Sequence, residues 1–288
     1  AGYLSMTQAH NMADNTSSPY SLLTIFSTVA WGLGYFGMPH ILLRFMAIGE
    51  EKKLVLSRRI ATVWVVISMF VAILIGIIGY GASVAGVLPM FETSSESETI
   101  IIRLAGLLAE KNFLLALVAG VVLAGILACT MSTADSQLLT AASSVSQNLL
   151  QDFLKIKMSP KQSMLAARLT VVGISLVAVV LAWNPDSSVF YIVSFAWAGF
   201  GAAFGPVVLF SLFWRRTNFQ GALAGMLTGG VMVFVWKYLV KPMGGVWGIY
   251  ELLPAFILGC IAIVVVSLAT AAPSEEILKE FDSVKEEK

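Results

Sequence analysis

Hydroxyl side chains recur at four-residue spacing near the middle of the chain. Residues four apart lie on one face of an α-helix, so this spacing predicts a stripe of small and polar side chains: Ala124, Ala128, Ser132, Ser136, Thr140 and Ser144. The adjacent hydroxyls of Ser132 and Thr133, with the Cys129 carbonyl one turn earlier, offer hard oxygen atoms that suit a monovalent cation such as sodium. Close helix packing is the alternative explanation for the alanines.

Asp135 and Ser136 extend this polar face along the same helix. An ionisable side chain within an apolar segment indicates a functional site, so these two residues are candidates for a second ion. A salt bridge near the cytoplasmic surface is the alternative for Asp135. The two cysteines, Cys129 and Cys260, lie inside long apolar runs, and their spacing predicts neither a disulfide nor a zinc site.

A second group of candidate residues lies in the nine residues 31–39. It contains two aromatic residues, three glycines and a proline: Trp31, Tyr35, Gly32, Gly34, Gly37 and Pro39. Glycine destabilises a helix and proline removes a backbone hydrogen bond, so the helix is predicted to be broken here. Unwound backbone inside a membrane must line a cavity or lie within protein. Trp31 and Tyr35 could then form an aromatic wall for a small substrate. An ordinary proline kink in a helix bundle is the alternative.

The run 197–206 is also rich in glycine and ends in a proline. Gly201 and Gly205 are four residues apart, which is typical of close helix packing. Together with Pro206 they are also candidates for a hinge or gate, as are the three glycines before Pro39. A later helix repeats the four-residue spacing, and there we expect packing alone: Gly221, Gly225 and Gly229.

These candidate residues need helices that can cross a membrane. Of 288 residues, 58% are hydrophobic and only 12% are charged, which excludes a water-soluble globule. Seven windows lack Asp, Glu, Lys and Arg: 15–43, 60–91, 112–134, 169–185, 187–214, 217–236 and 252–274. Because about 20 apolar residues cross a bilayer, the sequence predicts an all-α membrane protein with seven spanning helices, the first broken at mid-membrane. A net charge of +1 argues against nucleic-acid binding.

The stretch 111–151 is too long for a single span, because its forty residues of helix would measure about 60 Å, twice the thickness of a bilayer core. Its second half is polar and contains no glycine or proline that would make a turn. We therefore expect one long helix whose polar end lies against protein and emerges into the cytoplasm. Before it, residues 97–110 have the spacing of a short amphipathic helix on the outer face.

Basic residues cluster in alternate connections and predict the orientation of the chain. Fourteen of the 18 Lys and Arg residues fall in 44–59, 150–168, 214–218 and the tail from 272, whereas four fall in the other connections. The N-terminus is therefore predicted outside and the C-terminus inside. This gives an extracellular segment 1–20, a transmembrane region 21–271 and a charged cytoplasmic tail 272–288. The chain begins with Ala1, and we expect it to be the C-terminal part of a longer protein.

The same regions resemble the sodium:solute symporter family. The stretches that carry the resemblance are 31–46, 127–133 and 196–206, and a further match is Arg216 followed by the glycine-rich stretch 221–230. Within the family they look most like the sodium:proline symporters. The resemblance covers the chain from about residue 21 to residue 272.

The resemblance implies a LeuT-like inverted-repeat fold of ten core helices, in which the first and sixth are broken. This chain would supply core helices six to ten and two further helices. By the same resemblance, Ser132 and Thr133 are hydroxyl ligands of the main sodium site, and Cys129 supplies a carbonyl. The residues that match the proline pocket are Trp31, Tyr35 and Pro39. N-terminal helices outside this chain would supply the remaining sodium carbonyls.

We therefore expect sodium-coupled import of a small amino acid, with proline as the expected solute, across the plasma membrane. Sodium is the coupling ion, and neither an enzymatic reaction nor another cofactor is expected. The expected partners are the solute, sodium, the lipid bilayer and the N-terminal helices of the same protein. Three alternatives remain open at this point: another solute such as pantothenate or a different carboxylate, a seven-helix receptor, and a transporter-like sensor input module.

Overall fold

The computed structural model describes residues 5, 7–11, 16–183 and 188–286, and within them six helices and one bent helix pair can cross a membrane. The helices are α1 (Leu22–Gly34), α2 (Pro39–Met46), α3 (Lys52–Val84), α4 (Ser94–Ser97), α5 (Ile100–Ala109), α6 (Phe113–Ser143), α7 (Pro160–Leu181), α8 (Val189–Phe213), α9 (Phe219–Val235), α10 (Leu252–Ala269) and α11 (Glu275–Glu286). An antiparallel hairpin of β1 (Gln8–Asn11) and β2 (Thr16–Pro19) precedes them. The predicted all-α membrane fold is confirmed.

The first span is broken where the sequence predicts. Ser21 caps the start of α1, because its side chain accepts a hydrogen bond from the Thr24 amide, and the helix is followed by a 3₁₀ turn over Tyr35–Gly37. Met38 is extended, as the residue before a proline prefers to be. Pro39 then begins α2, at a position where its missing amide costs nothing. The two helices meet at 51°.

The long helix is also continuous, as predicted. α6 continues into a π-helical segment, Ser144–Phe153, and the two together span 41 residues. Gln151 lies in this segment and donates to the Ser146 carbonyl and to the Ser163 hydroxyl of α7. The amphipathic stretch 97–110 contains all of α5, and the charged tail contains α11.

The chain divides into two compact units. Unit 1 comprises residues 1–43 and 193–288, and unit 2 comprises residues 44–192. In unit 1, α9 and α10 pack so closely that a side chain on α9 at Gly225 would overlap Ile263 of α10. A side chain at Gly229 would overlap the Ala202 carbonyl of α8 in the same way. The predicted packing role of the α9 glycines is therefore confirmed.

Unit 2 is built from α3, α5, α6 and α7, with α5 and α7 each packed against α6. Its helices bury little of their apolar surface. None of the most apolar window of α3 or α7 is buried, and 6% of the α6 window is. A polar contact joins distant parts of this unit: the Glu98 carboxylate accepts the Ser188 hydroxyl and the amides of Val189 and Phe190.

Candidate functional site

An aromatic cluster surrounds the end of α1 in unit 1. The Trp31 ring stacks on Trp197 of α8, with centroids 5.4 Å apart, and on Tyr250, with centroids 6.1 Å apart. Tyr35 packs edge-on against Trp197 at 4.8 Å. The predicted wall residues Trp31 and Tyr35 are thus brought together, through Trp197.

Backbone contacts hold the cluster in place. The Trp197 indole donates a hydrogen bond to the Trp31 carbonyl at 3.0 Å, which joins α8 to α1 at the predicted wall residue Trp31. A side chain at Gly34 would overlap the Trp197 ring. Glycine at this position therefore lets the indole lie directly on the α1 backbone.

The glycines of the bent segment lie at a close helix crossing. A side chain at Gly37 would overlap the Phe200 carbonyl and the backbone of Gly201 and Gly205. Gly32 instead has open space around it. Packing explains Gly34, Gly37, Gly201 and Gly205, whereas a hinge role for any of these glycines stays a prediction.

Pro206 and Pro39 occupy different settings. Pro206 is fully buried inside α8, which runs uninterrupted from Val189 to Phe213. Its role as a gate also stays a prediction. Pro39 is half-buried at the start of α2, where it ends the unwound turn.

Of the wall residues, Tyr35 is the most exposed, with 51% of its surface accessible to solvent.

Tyr250 and Trp197 are the cluster members that sequence reasoning missed. Trp197 stands at the head of the glycine-rich run, and an aromatic residue in that position was a usable signal. Tyr250 lies in the connection between α9 and α10, where no sequence pattern marks it as a site residue.

Two effects raise the pKa of the Tyr250 phenol: burial first, and then the neighbouring Glu251 carboxylate. Its hydroxyl therefore stays protonated, as the hydrogen bond to the Ser194 carbonyl requires.

The hydroxyl face lies on α6 in unit 2. The Thr133 hydroxyl donates to the Cys129 carbonyl at 3.1 Å, and the Ser136 hydroxyl donates to the Ser132 carbonyl at 2.9 Å. A hydroxyl that donates its one proton keeps its lone pairs available to a cation. The predicted ligands Cys129, Ser132 and Thr133 are therefore adjacent, and each is exposed.

Asp135 and Ser136 lie on the same exposed part of α6. Among the described residues Asp135 forms no ion pair, so the alternative of a salt bridge is not observed within them. The described part of the chain also holds no cluster of three or more His, Cys, Asp or Glu side chains that could bind a metal ion. The ion chemistry available here is that of hydroxyl, carbonyl and single carboxylate oxygens.

The chain is similar to known transport proteins. Residues 4–229 match the model of the sodium:solute symporter family. The chain is 41% identical over 263 residues to the sodium/proline symporter of Haemophilus influenzae, which covers 91% of this chain and 51% of that protein. Against the sodium/proline symporter of Escherichia coli the identity is 41% over 266 residues, which cover 91% of this chain and 50% of the relative.

A third relative is named as a proline transporter. The high-affinity proline transporter PutP of Bacillus subtilis is 40% identical over 266 residues, which cover 92% of this chain and 54% of that protein. No solved structure matched the chain. The chain thus spans about half the length of the curated relatives it matches.

Proposed function

This chain belongs to the sodium:solute symporter family, and from that premise we propose that it forms part of a transporter that couples sodium entry to proline uptake. The observation that carries the proposal is the identity of about 40% to relatives named as proline symporters or transporters, over 91% of this chain. The bent helix pair supports a transporter over a seven-helix receptor, because an unwound turn supplies binding groups inside a membrane.

We propose that Ser132, Thr133 and the Cys129 carbonyl bind the coupling sodium ion. The Cys129 carbonyl accepts the Thr133 hydroxyl, and an ion at this place would meet the lone pairs of that hydroxyl rather than its proton. Exposed hydroxyls are costly against lipid, so this face is expected to meet protein or water. In the proposal, helices in the half of the relatives' length outside this chain cover it. Asp135 and Ser136 are kept as a proposed second ion site.

The aromatic cluster is the proposed solute site. Trp31, Tyr35 and Pro39 flank the unwound turn, whose backbone groups can bind the carboxylate and amine of an amino acid. Coupling follows if sodium and proline both favour the same conformation, because each ligand then raises the affinity for the other. The proposed arrangement of the whole protein is the LeuT-like inverted repeat.

The proposed orientation in the plasma membrane places the N-terminus of this chain outside. Basic side chains stand at the start of α3, at the start of α7 and between α8 and α9, which would lie on the cytoplasmic side. Segment 1–20 would then be extracellular, and the tail 272–288 with α11 would be cytoplasmic. Single cysteines placed at Ser5 or Ser274, in a protein whose Cys129 and Cys260 are replaced by alanine, test this by labelling with an impermeant thiol reagent. The first is expected to react from outside and the second is not.

The test of the sodium site is uptake of labelled proline by the full-length protein in vesicles with an imposed sodium gradient. Ser132→Ala and Thr133→Ala are each expected to raise the sodium concentration for half-maximal uptake about tenfold or more, because a ligand to a charged group is lost. Thr62→Ala is the matched control, since the Thr62 hydroxyl makes the same backbone bond on α3. Uptake that does not depend on sodium would overturn the proposed function, and unchanged sodium dependence in both variants would overturn the site.

A further inference from the structure

Tyr250 makes three contacts with the elements that carry the aromatic wall. Its backbone amide donates to the Ser27 hydroxyl of α1 at 3.0 Å. Its phenol donates to the Ser194 carbonyl of α8 at 2.5 Å. Its ring stacks on Trp31 with an angle of 16° between the planes. One residue in the connection between α9 and α10 therefore joins α1 to α8 next to the proposed solute site.

The connection itself is held firmly. Glu251, which follows Tyr250, is buried with only 3% of its side chain exposed, and it forms an ion pair with Lys241 at 2.8 Å. Leu252, the next residue, is fully buried among α8 and α10 side chains. The phenol of Tyr250 is thus fixed from its own connection as well as by the helices it contacts.

We propose that Tyr250 is a positioning residue for solute binding, which holds the Trp31 indole in the orientation that the wall requires. The proposal rests on the proposed function of the aromatic cluster. Trp31 stacks on two rings among the described residues, Trp197 and Tyr250. Trp197 also donates to the Trp31 carbonyl, whereas Tyr250 donates to Ser27, four residues earlier on the same helix. Without the Tyr250 ring the Trp31 indole loses one stacked neighbour and becomes more mobile. Solute binding must then order the indole, and this entropy cost weakens the affinity for the solute.

The test compares three variants of the full-length protein in sodium-driven uptake of labelled proline. Tyr250→Leu removes the stack and the phenol, and it is expected to raise the KM for proline about three- to tenfold. The maximal rate per transporter in the membrane and the sodium dependence are expected to stay within about twofold of the wild type. Tyr250→Phe keeps the ring, so its KM is expected to lie near that of the wild type.

Tyr238→Leu is the matched control, because Tyr238 is 61% exposed and has its aromatic contact with Phe195 instead of Trp31. If Tyr250→Leu does not reach the membrane, Ser27→Ala serves in its place, since it removes the backbone anchor alone and is expected to raise the KM about twofold or more.

The outcomes separate the two proposals. Wild-type protein that takes up no proline with sodium would refute the proposed function. Wild-type uptake with an unchanged KM in Tyr250→Leu, or in Ser27→Ala where that variant is used, would refute the role of Tyr250 alone. An equal rise in Tyr250→Phe and Tyr250→Leu would also refute it, because the aromatic ring would then not be the cause.

Discussion

The two units differ in how their apolar helices are packed. In unit 1, 33% of the most apolar window of α10 and 28% of that of α8 are buried, whereas in unit 2 none of α3 or α7 is. Unit 1 achieves this with glycines: backbones meet directly where Gly37 faces Gly201 and where Gly229 faces Ala202. Most glycines of unit 2 have open space where a side chain would be.

This difference separates the two proposed sites: contacts within the chain fix one of them, and the other is exposed. The aromatic cluster lies in the packed unit, and its rings are fixed by neighbours within the chain. The hydroxyl face lies on α6, where Ser132 and Thr133 are exposed. The aromatic cluster therefore has a definite shape within this chain, whereas the hydroxyl face stays exposed in the part of the chain that the structure describes.

The largest effect is expected for a glycine at the tightest crossing. Gly229→Ala would force a methyl group into the Ala202 carbonyl and the amide of Ala203, and backbone cannot rotate away as a side chain can. We expect the free energy of unfolding in detergent to fall by about 3 kcal/mol or more. Thermal unfolding of the purified protein measures the loss.

Gly120→Ala in α6 is the matched change in unit 2. Nothing lies within 4 Å of the added methyl group, so alanine is expected to stabilise the helix by about 0.5–1 kcal/mol. A loss as large as that of Gly229→Ala would contradict the comparison. It would mean that this face of α6 is covered as tightly as the helices of unit 1.

A second pair of variants compares the same kind of helix cap in the two units. Asn218 caps α9 through the Gly221 amide, and its buried amide group also donates to the Thr270 hydroxyl and the Ala271 carbonyl. Asn112 caps α6 through one exposed bond, to the Leu115 amide. Removal of the first cap leaves the buried Gly221 amide without this acceptor and breaks two part-buried hydrogen bonds, whereas removal of the second breaks one exposed hydrogen bond.

Asn218→Ala is therefore expected to lower the free energy of unfolding by about 2–3 kcal/mol, and Asn112→Ala by about 0.5–1 kcal/mol. Chemical or thermal denaturation followed by circular dichroism measures both. Equal losses would show that the burial of Asn218 adds nothing to its capping bond. The comparison of the two units would then rest on the glycine contacts alone.

The sequence was informative where a single residue type dictates the local structure. Pro39 lacks an amide and restricts the residue before it, so the break in the first span could be placed within a few residues. The uninterrupted polar run after Ser132 likewise predicted one long α6. The glycines at four-residue spacing in α9 predicted its close packing, although not the partner that each would meet.

The aromatic cluster shows where such reasoning fails. Trp31 and Trp197 are 166 residues apart, and Tyr250 contacts Ser27 across 223 residues. No periodicity or motif brings such residues together, because their meeting depends on how α1, α8 and the α9–α10 connection pack. The hydroxyl face was predictable as a face of α6, whereas its ion-binding role stays a prediction.

The smallest expected effect concerns a polar contact between distant residues of unit 2. Glu98 accepts the Ser188 hydroxyl and the first amides of α8, and these donors hold the pKa of its carboxyl below the ordinary value of 4.5, although burial opposes them. A carboxylate at a helix N-terminus also meets the positive end of the helix dipole. The contact therefore stabilises the start of α8 at neutral pH.

Because the folded pKa is lowered, this stabilisation is fully present above about pH 4.5 and is lost as the pH falls through the folded value. Hydrogen-exchange protection of the Val189 and Phe190 amides is therefore expected to stay constant above about pH 4.5 and to fall as the pH drops below it. Glu98→Gln is expected to show the lower protection throughout, while Glu110→Gln keeps the wild-type profile. Protection that does not change with pH in the wild type would mean that the carboxylate charge of Glu98 contributes nothing to the stability of the first turn of α8.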